Sequence, residues 1–184
     1  MKIIDTPISG LKIIEPKIFN DDRGYFFESF NESVFSDHGL NYNFIQDNES
    51  KSCFGVIRGL HYQLEPYSQA KLVRVLQGSV FDVAVDIRKG SPTFGKWYGV
   101  ELNSENKLQL LIPKGFAHGF SVLSETCIFI YKCDGLYKKE AERGIIYNDL
   151  SLKIDWKINS ENKIISEKDK IQPSFSSAEN NFTY

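Results

Sequence analysis

A histidine, two arginines and a lysine crowd one short apolar stretch, Arg58-Gly59-Leu60-His61-Tyr62-Gln63 followed by Lys71-Leu72-Val73-Arg74-Val75. Basic groups in strand-like surroundings are unfavourable unless something pairs or uses them. The chain has only three histidines, and two of them, His61 and His118, lie in glycine-punctuated, β-like segments. A neutral imidazole accepts a proton near pH 7, which makes His61 a candidate general base. Lys71 is a compact charge suited to a developing oxyanion, and the planar fork of Arg58 matches a pyrophosphate. Standing alone, His61 reads more readily as a satisfied core histidine than as a base.

These side chains need elements to hold them. Short apolar runs alternate with turn signals at Gly10, Asp21-Asp22-Arg23-Gly24, Gln77-Gly78-Ser79, Lys89-Gly90-Ser91-Pro92 and Pro113-Lys114-Gly115. That spacing predicts a mainly β fold, an antiparallel sandwich or barrel. One short helix is expected over Glu32 to His38, with Asn31 as N-cap. Lys71–Leu76 and Ser79–Ile87 read as a hairpin about Gln77-Gly78. Alternation then puts Lys71, Val73 and Val75 on a mixed face with Val80, Asp82, Ala84 and Asp86, Lys71 lying diagonal to both aspartates. Leu72, Leu76, Phe81, Val83, Val85 and Ile87 form the other face, read as core. Arg58 and His61 are three residues apart, so a regular strand points them to opposite faces. If both serve one pocket, Gly59 must break the strand.

At 184 residues, the chain is expected to form a single domain spanning 1–184, with a polar tail over 157–184. The 14 Phe, 9 Tyr and 13 Gly favour strands and turns over a helical bundle. A net charge of −2 excludes a global field that would recruit nucleic acid or an anionic membrane. Cys53, Cys127 and Cys133 form no CxxC pair and are expected as buried free thiols. The start MKIIDTPISG is too polar for a signal peptide, so a cytoplasmic location is expected.

Several stretches together resemble the dTDP-4-dehydrorhamnose 3,5-epimerases, a cupin family of deoxysugar biosynthesis. They are Asp22–Phe30, Gln46-Asp47-Asn48, Gly55–Gln63, Lys71–Val75, Phe81–Arg88, Pro113–Phe120, Tyr131-Lys132 and Ser166–Asp169. They run in order from about residue 3 to about residue 175. The resemblance implies a cupin-type jelly-roll barrel, a homodimer, a nucleotide-sugar substrate, no cofactor and no metal. The residues agree on the metal: His61-Tyr62-Gln63 holds one imidazole where metal-binding cupins carry His-x-His, and two histidines without a third donor make a poor site.

The implied reaction inverts C3 and C5 of a 4-keto-6-deoxyhexose on a nucleoside diphosphate, as a step toward dTDP-L-rhamnose. By resemblance His61 is the base, Asp169 its orienting partner, Lys71 the oxyanion partner and Tyr131 the acid on the opposite face. Without the resemblance, Tyr131 is a half-buried strand aromatic and Asp169 one charge in a solvated Glu167-Lys168-Asp169-Lys170 run. The resemblance adds Arg23, Glu28, Gln46, Asp47, Asn48, Arg58, His118, Tyr137, Glu142 and Lys168 as substrate contacts, with Tyr137 stacking on the base. Arg23 and Glu28 are expected to reach a partner subunit's site. Asp134-Gly135-Leu136 departs from the family's small polar and aromatic residues, which bears on base specificity. The alternatives are an epimerase acting at one carbon, or on a related nucleotide sugar, and a non-catalytic sugar-nucleotide-binding barrel.

Overall fold

A computed structural model describes residues 1–184. The strands are β1 (Lys2–Asp5), β2 (Lys12–Glu15), β3 (Phe19–Asp21), β4 (Gly24–Phe26), β5 (Gln46–Cys53), β6 (Val56–Gln63) and β7 (Lys71–Gln77). They continue as β8 (Ser79–Asp86), β9 (Trp97–Asn103), β10 (Gln109–Ile112), β11 (Phe116–Val122), β12 (Thr126–Cys133), β13 (Glu142–Gly144) and β14 (Ile164–Ile165). The helices are α1 (Glu32–Asp37) and α2 (Glu167–Lys170). The expected helix forms where Asn31 caps it, its Oδ1 accepting from the Val34 N–H at 3.3 Å.

Two sheets face one another as a cupin-type jelly roll. The first runs β1-β2-β10-β7-β12-β5 and the second β13-β6-β11-β8-β9, with β3 and β4 as a separate hairpin. The core between them holds Val73, Val75, Val80, Ala84, Leu110, Phe120 and Phe129, all buried. Alternation along each strand supplies this inner layer, because every second residue faces the opposite sheet.

The expected hairpin about Gln77-Gly78 does not form. β7 pairs with β10 and β12, while β8 pairs with β9 and β11, so Gln77-Gly78 carries the chain from one sheet to the other. Gly78 has φ +80°, and a Cβ there would stand 2.1 Å from the Thr126 carbonyl oxygen. The shared face of Lys71, Val73, Val75, Val80 and Ala84 survives this change but is the barrel interior. The face read as core splits three ways. Phe81, Val83, Val85 and Ile87 pack outside the second sheet against Leu152, Trp156 and Phe182. Leu72 joins Ile14, Phe35, Leu40 and Leu111, and Leu76 is exposed. Asp86 is not beside Lys71; Arg88, Ser91 and Thr93 hold its carboxylate.

The polar tail returns along the second sheet. β14 pairs in parallel with Val56 and Ile57 of β6, and a single helical turn follows. Cys127 and Cys133 are buried free thiols, whereas Cys53, at the end of β5, is exposed. No helix is long and apolar enough to cross a membrane.

Candidate active site

An irregularity in β6 builds the site. His61 pairs with His118 and Arg58 with Phe120, so three steps along β6 answer two along β11. The extra residue turns Arg58 and His61 into one cavity of about 590 Å³. Gly59 occupies this point with φ +127°, where a Cβ would lie 2.5 Å from Gly119 Cα and 2.8 Å from the His118 carbonyl oxygen. Both neighbours are backbone, so no side chain fits.

His61 Nε2 lies 2.6 Å from Asp169 Oδ1. The tail delivers that carboxylate: Ser166 caps α2, its Oγ accepting from the Asp169 N–H at 3.1 Å. The helical turn leaves Glu167, Lys168 and Lys170 exposed and buries Asp169, which is 3% exposed. Burial pushes the Asp169 carboxyl up, but the hydrogen bond and charge of His61, with the Gly59 N–H and Ser166, outweigh it and hold the group below its ordinary value. An ionised Asp169 can only accept, so the His61 Nε2–H donates to it, which leaves Nδ1 as the basic nitrogen.

The first sheet supplies the opposite wall. Tyr131 on β12 and Lys71 on β7 line the same cavity, with Lys71 Nζ 5.7 Å from the Tyr131 ring centroid. Burial raises the Tyr131 phenol above its usual pKa and, at Lys71, holds the ammonium below the usual lysine range. His118, beside His61 on β11, is buried against Asp82, both carboxylate oxygens lying 3.0 Å from its Nε2. No three His, Cys, Asp or Glu side chains converge as metal ligands.

A second lobe of about 290 Å³ shares Asn48, His61, Lys71 and Tyr131 with the first, and adds Gln46, Tyr137 and Glu142. The Tyr137 hydroxyl donates to Glu142 at 2.8 Å, and Lys168 pairs with the same carboxylate at 2.6 Å. The divergent loop is firmly held: Asp134 accepts from the Ala70 N–H at 2.7 Å, and Gln69 donates to the Gly135 carbonyl at 2.7 Å.

Three expected contacts lie elsewhere. Strand alternation puts Asp47 on the outer face of β5, paired with Lys132 at 2.9 Å, while Gln46 and Asn48 face inward. Arg23 pairs with Asp21 at 2.6 Å and Glu28 accepts from Asn31, so neither lines the cavity of its own chain. Two buried residues carry roles the sequence reading did not assign. Ser52 Oγ accepts from Arg58 Nε at 3.1 Å, bridging the sheets. Gln63 Nε2 donates to the Tyr67 and Leu136 carbonyls and its Oε1 accepts from the Lys138 N–H, fixing the loop that carries Tyr137. The alternation of β5 was the available signal for Ser52, which shares the inward face of Gln46 and Asn48.

The sequence model of the dTDP-4-dehydrorhamnose 3,5-epimerases matches residues 5–177. The chain belongs to this family. It is 58% identical over 170 residues to the dTDP-4-dehydrorhamnose 3,5-epimerase of Shigella flexneri, covering 92% of this chain and 93% of that protein. The crystal structure of the dTDP-4-dehydrorhamnose 3,5-epimerase of Elizabethkingia anophelis NUHP1 is similar at a TM-score of 0.92 and 56% identity, covering 96% of this chain and 97% of that one. A Legionella pneumophila epimerase, solved in complex with dTDP-4-keto-L-rhamnose, reaches a TM-score of 0.92 at 52% identity, with coverage of 96% and 93%. Family members are epimerases, isomerases that act on dTDP-sugars.

Proposed function

We propose that this chain inverts C3 and C5 of dTDP-4-keto-6-deoxy-D-glucose in dTDP-L-rhamnose biosynthesis. One observation carries the reading: the His61–Asp169 pair on one sheet faces Tyr131 and Lys71 on the other across a single cavity. Both carbons are α to the C4 ketone, so one set of groups can serve each in turn. His61 Nδ1 takes the C–H proton and the electron pair moves to O4, where Lys71 stabilises the enolate. Tyr131 then protonates the opposite face of the carbon. Its raised pKa keeps it protonated until a base as strong as an enolate is present. Loss of the His61 proton to solvent and reprotonation of the tyrosinate reset the site, and no electrons are gained or lost.

Arg58 and Lys168 are suited to the pyrophosphate and Tyr137 to stacking on the base, with Gln46, Asn48, His118 and Glu142 completing the substrate contacts. Arg23 and Glu28, exposed beside the β3–β4 hairpin, would serve a partner subunit's cavity in a homodimer. The substrate's soluble nucleotide fits a cytoplasmic enzyme.

The test offers this sugar nucleotide in D2O and follows deuterium at both carbons by NMR. Incorporation at C3 and C5 is the expected result. Incorporation at one carbon would make the chain a single-site epimerase, and none would leave only a binding role. A second expectation concerns Ser52. Its alanine variant loses one hydrogen bond to Arg58, so KM rises about fivefold with kcat nearly unchanged. Steady-state kinetics with an unaltered KM would remove Ser52 from the phosphate grip.

A further inference from the structure

Asp82 is a buried carboxylate, 0% exposed, for which the steps above have no use. It lies mid-strand on β8, between Val100 on β9 and Phe120 on β11. Its neighbours Val80 and Ala84 on the inner face are apolar core. A carboxylate in such surroundings is strongly destabilising unless partners offset it. His118 supplies one partner, its Nε2 3.0 Å from both oxygens. Packing alone would be served as well by an apolar residue of similar size.

Lys71 lines the same cavity as His118 and feels the Asp82 charge across it, without a direct ion pair. We propose that Asp82 is a positioning residue, the shared counter-ion that keeps Lys71 charged and His118 oriented inside the barrel. The proposal rests on the reading of Lys71 as the group that stabilises the enolate.

The groups facing Lys71 single out Asp82. On β12, Cys133 is a neutral thiol, pushed up to about 11 by burial, and Tyr131 is a neutral phenol. Ile112, its register partner on β10, is apolar. His61 and His118, on β6 and β11, line the same cavity. Glu142 on β13 is an anion, but Lys168 and Tyr137 already engage it. Asp82 on β8 has no lysine or arginine of its own, only His118, which burial pushes toward its neutral form. The Asp82 charge opposes the desolvation that weakens the hold of the ammonium on its proton. A neutral lysine could not hold an oxyanion, so this buried charge acts on the reaction through Lys71.

The test titrates the Lys71 Cε resonance in 13C-lysine-labelled protein, assigned by its loss in Lys71→Arg. In the wild type the resonance must report an ammonium at pH 7.5; a neutral amine there would overturn the proposal whether or not any variant folds. In Asp82→Asn, the Lys71 titration and the alkaline limb of kcat both move to lower pH. At pH 8.5, kcat falls about tenfold while thymidine diphosphate affinity holds within about twofold. A lowered melting temperature with the Lys71 titration unmoved would reduce Asp82 to a structural residue. Lys71→Ala separates the two readings. Full activity in that variant would sink the oxyanion role itself, whereas an inactive Lys71→Ala beside an unmoved titration would sink only the role of Asp82.

Discussion

His61→Ala loses wash-in of solvent deuterium at both C3 and C5, the rate falling about 10³-fold or more, while thymidine diphosphate binds within a few-fold of the wild type. The two halves of this result have separate physical origins. Exchange fails because His118, the other imidazole on the second sheet's side of the cavity, is buried, and burial lowers its basicity. Binding persists because the proposed phosphate contacts, Arg58 and Lys168, do not depend on the imidazole. Asp169 keeps the Gly59 N–H as a donor, at 3.4 Å. Asp169→Asn extends the experiment. Its amide can offer an oxygen or an N–H to Nε2, so the ring is no longer held in the tautomer with a basic Nδ1, and exchange drops about 10²-fold or more. Persistent exchange at one carbon in His61→Ala would mean that a second base serves that carbon.

Gly59→Ala removes the fold and the site together. The new methyl would meet the Gly119 and His118 backbone at distances no Cβ tolerates, and φ of +127° is closed to alanine besides. Neither strand can yield, because β11 is also paired along its whole length with β8. The expected loss is about 3 kcal/mol or more of unfolding free energy, read as a lower urea midpoint or as insoluble protein. Any soluble fraction binds thymidine diphosphate weakly, since relief of the clash requires re-registering Arg58 relative to His61. A wild-type midpoint and affinity would show that β6 can run regularly without damage to the site.

The bulge was legible before the fold was known, and its neighbours show why other features were not. Arg58 and His61 stand at a spacing that a regular strand cannot reconcile with one pocket, and the glycine between them marked where the ladder must break. Asp47 was equally legible through alternation, since a strand that turns Gln46 and Asn48 inward must turn Asp47 out. The Gln77-Gly78 turn was not. A two-residue turn signal is the same for a hairpin and for a crossing between facing sheets, and the choice lies with partners far away, β12 and β11, that outcompete the local pairing. Asp169 gives no local sign either. In Glu167-Lys168-Asp169-Lys170, only the return of the tail along β6 selects which charge is buried.

Sequence by itself determined the class of the chain: alternating short strands, the chemistry-bearing motif with its misfit glycine, and the ordered series of stretches that identifies the family. Those features are local or linear, written in periodicity, residue type and order. The resemblance implied that Asp169 serves His61 and that Lys71 and Tyr131 share its site; tertiary structure alone decided that these two face His61 from another sheet, that Asp82 takes His118 and that Ser52 holds Arg58. These pairs join residues up to 108 positions apart. Their proximity follows from which strands lie side by side and which sheets face each other, and no short stretch of sequence encodes that.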